Sequence, residues 1–255
     1  MLDWVTFWDS DSDNAIYVNR RHRDVHYRRI AGDIRSFVPD RDAVVLDYGC
    51  GEALYAEHVA EAAGQLILSE AAPQLRARLD ARFAHNAKIV VRAPDEVAAL
   101  PAQSLDMIVM HSVTQYLTRD ELAALLVTFR RLLKPNGKLV LGDIVPPDVS
   151  AATDAGALLG FATAHGFLGA ALMGLGRAVF SDYWRLRQRY GLTRYSEQEL
   201  RQKLADTGFS AERAPRNIGH NPARMTFVAR PLSPLPAGEG AARAIASAAG
   251  EGNPN

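Results

Sequence analysis

Between residues 43 and 144, short unbroken apolar runs alternate with stretches of helical periodicity, and this alternation restricts the chain to few architectures. The runs are AVVLDYG (43–49), QLILSE (65–70), KIVVRA (88–93), LDMIVMH (105–111) and KLVLGDI (138–144). A strand with no polar face needs cover on both sides, which is the condition of a parallel sheet. The intervening segments supply that cover. A helix is predicted from about Leu54 to Ala63 with Gly64 as its C-cap, and another over Pro73–Ala84 with proline in its first turn. Thr118 and Glu121 form a capping box ahead of LAALLVTFRRLL, which Pro135, Asn136 and Gly137 stop. Ser196 and Glu199 repeat that pattern before ELRQKLADTG, closed by Gly208. Strand-like segments at 209–218 and 224–229 leave room for an antiparallel hairpin. The expectation is an α/β domain with helices on both faces of a mainly parallel sheet.

The first apolar run ends in Asp47-Tyr48-Gly49-Cys50-Gly51. Ligands of open α/β sheets bind at the carboxyl ends of strands, and glycine there allows positive φ and a close approach of backbone to ligand. A plain strand-to-helix turn would need the same glycines. Glu70 closes the second strand about twenty residues on, where a carboxylate can accept both ribose hydroxyl hydrogen bonds of a nucleoside. Glu52, beside the place a pyrophosphate would occupy, argues for a cofactor without phosphates.

Four elements together carry a resemblance: LDYGCGEA (46–53), Glu70, SLDMIVMHSV (104–113) and LLKPNGKLVLGD (132–143). They resemble the motifs of class I S-adenosylmethionine-dependent methyltransferases, over about residues 40–145 and weakly over 190–230. The likeness is to groups that modify quinone precursors, lipids and natural products. It implies a Rossmann-like fold with a seven-stranded sheet and S-adenosyl-L-methionine as cofactor. Asp47, Gly49, Cys50 and Gly51 would then shape the methionine end, and Glu70 would hold the ribose. Arg92, Ala93 and Asp95 or Glu96 would lie beside adenine, and His111 and Ser112 would face the sulfonium and the acceptor. Ala53 stands where the family usually has a third glycine, and Asn136 replaces the first glycine of its LKPGG-type turn, where asparagine tolerates left-handed backbone.

Methyl transfer requires alignment, and a base only if the acceptor carries a proton. His111 and Asp143, at strand carboxyl ends, are the catalytic candidates, each with the alternative of merely shaping the pocket. Gln115 and Tyr116 follow the fourth strand and are candidates for acceptor contact. So are Tyr17, His22 and His26, if the predicted helix over 19–37 closes over the cofactor; Arg21 is a candidate for its carboxylate. The His22/His26 spacing suits zinc, but the lone cysteine argues against a metal site, and none is expected.

The connection after Asp143 is unusually long, and residues 155–176 carry no formal charge. Six glycines and the need for the chain to return argue against a membrane span. Two helices around Gly166–Gly169 are expected instead, as a lid (148–190) whose Phe161, Phe167 and neighbouring apolar side chains line an acceptor pocket or pack elsewhere. Phe180 and the basic segment 182–191 belong to the same insertion.

The domain reading is therefore an N-terminal arm and helix (1–39), a methyltransferase domain (40–230) and a disordered Pro/Gly/Ala tail (231–255). Twenty-nine basic and 29 acidic residues cancel, so no global field draws a polyanion, although five arginines cluster between residues 20 and 29. One cysteine and an acidic start without a signal pattern fit a cytoplasmic protein. The expected partner is a small, apolar acceptor, with no nucleic acid. Peripheral membrane contact and a homodimer are open alternatives for the insertion. The competing functions are a nucleotide-cofactor oxidoreductase and a non-catalytic binding or assembly module.

Overall fold

Strand pairing follows the sheet expected from the apolar runs. The computed structural model describes residues 4–9, 17–178, 185, 189 and 191–232; the expected tail beyond residue 232, Phe180 and most of 182–191 fall outside them. In chain order the elements are α1 (Trp4–Asp9), α2 (Arg20–Arg35), β1 (Val44–Tyr48), α3 (Ala56–Ala60), β2 (Gln65–Ser69), α4 (Pro73–Phe83), β3 (Ile89–Arg92) and α5 (Pro94–Ala98). They continue with β4 (Leu105–His111), a single 3-10 turn (Thr114–Tyr116), α6 (Arg119–Leu132), β5 (Leu133–Ile144), α7 (Ala151–His165) and α8 (Leu168–Ala178). The last three are α9 (Glu197–Asp206), β6 (Phe209–Arg213) and β7 (Met225–Pro231). The sheet order is β3-β2-β1-β4-β5-β7-β6, with β1 to β5 parallel and β7 antiparallel to both its neighbours.

The uncharged strands are buried on both faces because consecutive side chains enter different cores. Leu46, Ile108, Met110, Leu139 and Leu141 pack with Leu122, Leu126 and Phe129 of α6 and Leu200 and Leu204 of α9. Val45, Met107, Val109 and Val140 pack with Ile30 and Ile34 of α2, Val59 of α3 and Leu79 and Phe83 of α4. Asp106, entering β4, works at the opposite edge from the ligand side: it accepts the Val44 N–H at 2.9 Å and pairs with Lys134 at 2.8 Å.

Local signals resolve unevenly. The Thr118–Glu121 capping box forms in both directions. At Ser196 only half of the box forms: its hydroxyl accepts from the Glu199 N–H, while the Glu199 carboxylate pairs with Arg119 at 2.8 Å. Gly208 ends α9 in left-handed geometry as expected (φ +84°). Gly64 does not cap α3 that way. The helix stops at Ala60, and a Cβ on Gly64 would lie 2.7 Å from the Asp42 carbonyl oxygen. Its role is close approach between backbones. The Pro135-Asn136-Gly137 segment lies inside β5 as a register shift opposite Leu105–Met107, and Asn136 is not left-handed.

The insertion forms the expected helix pair, with Gly166 as a left-handed C-cap (φ +72°) between α7 and α8. Phe161, Ala162, Phe167 and Ala171 form a small core with Val18 and Val25 at α2. Arg21 donates to the His165 carbonyl at the end of α7, which takes it away from any cofactor carboxylate. No described helix is long and apolar enough to cross a membrane.

Two glycine substitutions should shift thermal unfolding in opposite directions. Gly64→Ala forces Cβ into the Asp42 backbone and should cost about 1–3 kcal/mol. Gly32→Ala, inside α2 with open space around its Cβ position, should stabilise by about 1 kcal/mol.

Candidate active site

The carboxyl ends of β1, β4 and β5 open into one cavity of about 490 Å³. Its floor is made by backbone that turns away from each strand in left-handed geometry. After β1 these residues are Gly49 (φ +73°), Gly51 (φ +58°) and Ala53 (φ +45°). A Cβ on Gly49 would sit 2.5 Å from Val113 Cγ2, so this position needs glycine for space as well as for conformation. Ala53 adopts a backbone that costs an alanine roughly 1–2 kcal/mol, a more demanding departure from glycine than looser packing. After β4, Ser112 (φ +56°) and, near the end of β5, Asp143 (φ +61°) are left-handed too. The Ser112 hydroxyl donates to Asp143 at 2.8 Å, which ties the two strained exits together.

Two carboxylates face the glycine turn. Glu70 accepts the Gly51 N–H at 3.0 Å with one oxygen and the Ala72 N–H at 2.9 Å with the other. Each oxygen keeps a further lone pair, so both ribose hydroxyls still have acceptors. Burial raises the Glu70 carboxyl above its usual range, against the effect of those N–H donors. Asp47 is pushed up to about 7, first by burial and then by the charge of Glu70. Burial, Asp47 and Glu70 together push the Cys50 thiol up.

α2 closes one side. Arg23 pairs with both oxygens of Glu52, and the Glu52 N–H points to Tyr27 Oη at 3.4 Å. Glu52 is neutralised in place and is not part of the cavity wall, so it is not the group that disfavours phosphate. Asp47 and Glu70 take over that argument: two carboxylates at the turn repel a pyrophosphate and suit a cationic ligand. Nor does the turn lead straight into a helix whose N–H groups would cradle phosphate, since α3 begins only at Ala56 and is five residues long.

Twelve of the sequence-predicted site residues meet in this cavity: Asp47, Gly49, Cys50, Gly51, Glu70, His111, Ser112, Asp143, Tyr17, His26, Gln115 and Tyr116. Four do not. Ala93 is the N-cap of α5, and its N–H is taken by Glu96 at 2.6 Å, leaving neighbouring Pro94 in the wall. His22 lies behind the wall, its ring stacked on Phe167 at 5.1 Å, and Phe161 stacks on His220 at 4.6 Å. None of the described residues of α7 or α8 lines the cavity; their small core packs on α2. Four of the five arginines between residues 20 and 29 have partners within the chain: Arg21 at α7, Arg23 with Glu52, Arg28 with Asp24 and Tyr55, and Arg29 with the Gly219 carbonyl. Among the described residues, no group of three or more His, Cys, Asp or Glu side chains is arranged to hold a metal ion.

Four cavity-lining residues were not read from sequence as site residues. Trp4 and Trp8 of α1 form an aromatic wall, with Trp4 4.5 Å from Tyr116. Tyr27 follows His26 on α2. Arg224, from the turn before β7, reaches Asp143 at 3.4 Å and Asp154 at 3.0 Å, and no local pattern announces that.

Residues 46–141 match the family model described as a methyltransferase domain, and the strand order and glycine turn agree with it. This chain has the class I S-adenosylmethionine-dependent methyltransferase fold. Among solved structures, DhpI in complex with S-adenosyl-L-homocysteine is 13% identical, with a TM-score of 0.58 over 90% of this chain and 96% of that one. The N-methyltransferase NodS from Bradyrhizobium japonicum WM9, in complex with S-adenosyl-L-homocysteine, is 19% identical, with a TM-score of 0.52 over 85% and 89%. Magnesium protoporphyrin IX methyltransferase from Synechocystis PCC 6803, with the same ligand bound, is 16% identical, with a TM-score of 0.52 over 84% and 88%. No curated protein matches the sequence. Within this methyltransferase fold, the Asp47–Glu70 pair lies at the glycine turn, and His111, Ser112 and Asp143 line the same cavity from the ends of β4 and β5.

Asp47 makes the fold pH-sensitive in a defined direction. Its pKa rises from 3.8 to about 7 on folding, so between those values the folded state holds a proton that the unfolded chain has released. The contribution of this group to stability therefore falls as pH rises through that window. Urea unfolding across the window should show Asp47→Asn flattening the decline and exceeding the wild type in stability above pH 7.

Proposed function

We propose that this protein transfers a methyl group from S-adenosyl-L-methionine to a small, predominantly apolar acceptor. The observation that carries the reading is the Asp47–Glu70 carboxylate pair at the left-handed glycine turn, inside a methyltransferase-domain match. The donor set fits the cofactor. Glu70 would hold the ribose hydroxyls, and Asp47 would meet the positively charged methionine end, whose charge relieves the repulsion between the two carboxylates. Pro94, in place of Ala93, would flank the adenine. When bound, the cofactor supplies an electrophilic methyl group on a sulfonium.

The acceptor side would be the part of the cavity between α1, α2 and the ends of β4 and β5. Its walls there are largely apolar or aromatic, including Trp4, Val5, Trp8, Leu117 and Leu192, and its size is that of a small-molecule site. His111 would be the proton-accepting group. Gly142 makes room for it: a Cβ there would lie 2.8 Å from His111 Nδ1. Burial holds its imidazole below the usual histidine range, despite the pull of Asp143 and Asp33, so it is neutral and ready to accept a proton at neutral pH. Asp143 would orient rather than deprotonate, because Ser112 and Arg224 already occupy its carboxylate.

Titration calorimetry tests the cofactor half. S-adenosyl-L-methionine and S-adenosyl-L-homocysteine should bind at about micromolar affinity and NAD should not, and Glu70→Ala should weaken binding about 10- to 100-fold through lost charge-assisted hydrogen bonds. No binding of either adenosyl ligand would overturn the reading. Unchanged affinity in Glu70→Ala would overturn the ribose assignment.

A further inference from the structure

Surface helices of this fold bury their large apolar side chains and expose their charges. α6 does so: Leu122, Leu126, Phe129 and Leu132 are buried, while Arg119, Asp120 and Glu121 are exposed. α8 does the reverse. It turns small residues inward: Ala171 is buried in the core shared with Val18 and Val25, and a Cβ on Gly174 would collide with Val18 Cγ1. Three larger side chains point out, with Leu168, Leu172 and Met173 40%, 56% and 61% exposed. They stand at i, i+4 and i+5 and so share one face, which the exposed Arg177 continues four residues after Met173. Among the described residues only six large hydrophobic side chains are exposed, and half of them lie on this one helix. Scattered singly such residues need no explanation, but gathered on one face they mark a contact surface.

The charges around this face have one sign. α7 and α8 together hold a single acid, Asp154, which is partly buried and pairs with Arg224 at 3.0 Å. Past the first turn of α7 its exposed positions are Gly156, Gly160, Thr163 and Ala164, none of them charged. α4, α6 and α9, by contrast, expose Asp80, Asp120 and Asp206. What borders the apolar face is positive: Arg177 lies on it, and Arg185 and Arg189 are exposed farther along the chain. Residues 177–189 carry four arginines against one acid, so the local charge stays basic although the whole chain is neutral.

This combination separates the occupants such a face could have. A second copy docking through the same face would set Arg177 against an uncharged or basic surface, with no carboxylate to meet it. Three half-exposed side chains also fall well short of the roughly 800 Å² per partner of a stable protein interface. An anionic bilayer supplies both parts, acyl chains for the leucines and methionine and negative headgroups for the arginines.

We propose that the outer face of α8 docks the protein on an anionic membrane surface, with Leu168, Leu172 and Met173 entering the lipid boundary and Arg177, Arg185 and Arg189 meeting the headgroups. The helix lies on the surface and does not cross the bilayer. None of the described residues of α7 or α8 lines the cavity, so membrane attachment stands or falls independently of methyl transfer.

The test is co-sedimentation of the full-length protein with vesicles of phosphatidylcholine alone or of phosphatidylcholine mixed with phosphatidylglycerol. The mixed vesicles should bind at least about tenfold more tightly, and added salt should narrow that difference. Leu172→Ser combined with Met173→Ser should weaken binding to the mixed vesicles at least about tenfold, and Arg177→Glu should weaken it in the same direction. Val127→Ser, at an exposed apolar position of α6, should leave binding unchanged. Circular dichroism checks the fold of each variant, and Arg177→Glu carries the test if the double variant does not fold. No binding to the mixed vesicles, equal binding to both kinds, a loss as large in Val127→Ser, or unchanged binding in the folded α8 variants would overturn the proposal. So would a dimer in sedimentation velocity that the α8 substitutions dissociate, since a second copy would then cover the face.

Discussion

The organising constraint is that the three central strands leave the sheet through left-handed backbone: Gly49, Gly51 and Ala53 after β1, Ser112 after β4 and Asp143 near the end of β5. Three of these five are not glycine, so the chain holds conformations that L-residues resist. Neighbouring structure overcomes that resistance. Ser112 is bonded to Asp143, Asp143 is bonded through its N–H to Asn217 at 3.1 Å, and Ala53 is buried in the core under α2 and α3. The cavity exists because these exits diverge. Every polar group assigned to the chemistry sits on one of them or faces one.

The parts legible in the sequence were those with local causes. Doubly buried strands show as unbroken apolar runs, and the Thr118–Glu121 box marks α6 because both partners lie within one turn. The glycine turn and Glu70 were legible for the same reason, as were most residues at the strand exits. Long-range pairings were not. Glu52 looked like a free charge beside the ligand until Arg23, 29 positions earlier, was seen to neutralise it. Gly64 carries no mark that separates a helix cap from a close backbone crossing. Arg224 enters the site from an irregular connection with no periodicity. The uncharged stretch over α7 and α8 indicated apolar packing but not its direction, which proved to be toward α2.

α2 is where these long-range pairings concentrate. Its first half holds Glu52 through Arg23 and sets Tyr27 against the glycine turn, and its last turn holds α3 through Arg35, which bonds the His58 carbonyl at 2.6 Å and Glu61 at 2.8 Å. The opposite face receives α7. The helix thereby joins the glycine-turn side of the cavity to its histidine-lined side, since Tyr27 and His26 are consecutive residues. A shift of α2 would move both together.

α1 closes the remaining side with only six residues, and its attachment is asymmetric. Asp9 accepts the Gln74 N–H at 2.6 Å and so caps α4, which has no side-chain cap of its own at Ala72. At the other end, Trp4 leans on Tyr116. One end is pinned by a charge at a helix start and the other by aromatic contact, which differ in their response to the medium. Added salt weakens the electrostatic part of the first, while cooling weakens the hydrophobic part of the second. Ionic strength and temperature therefore act on opposite ends of the same short helix.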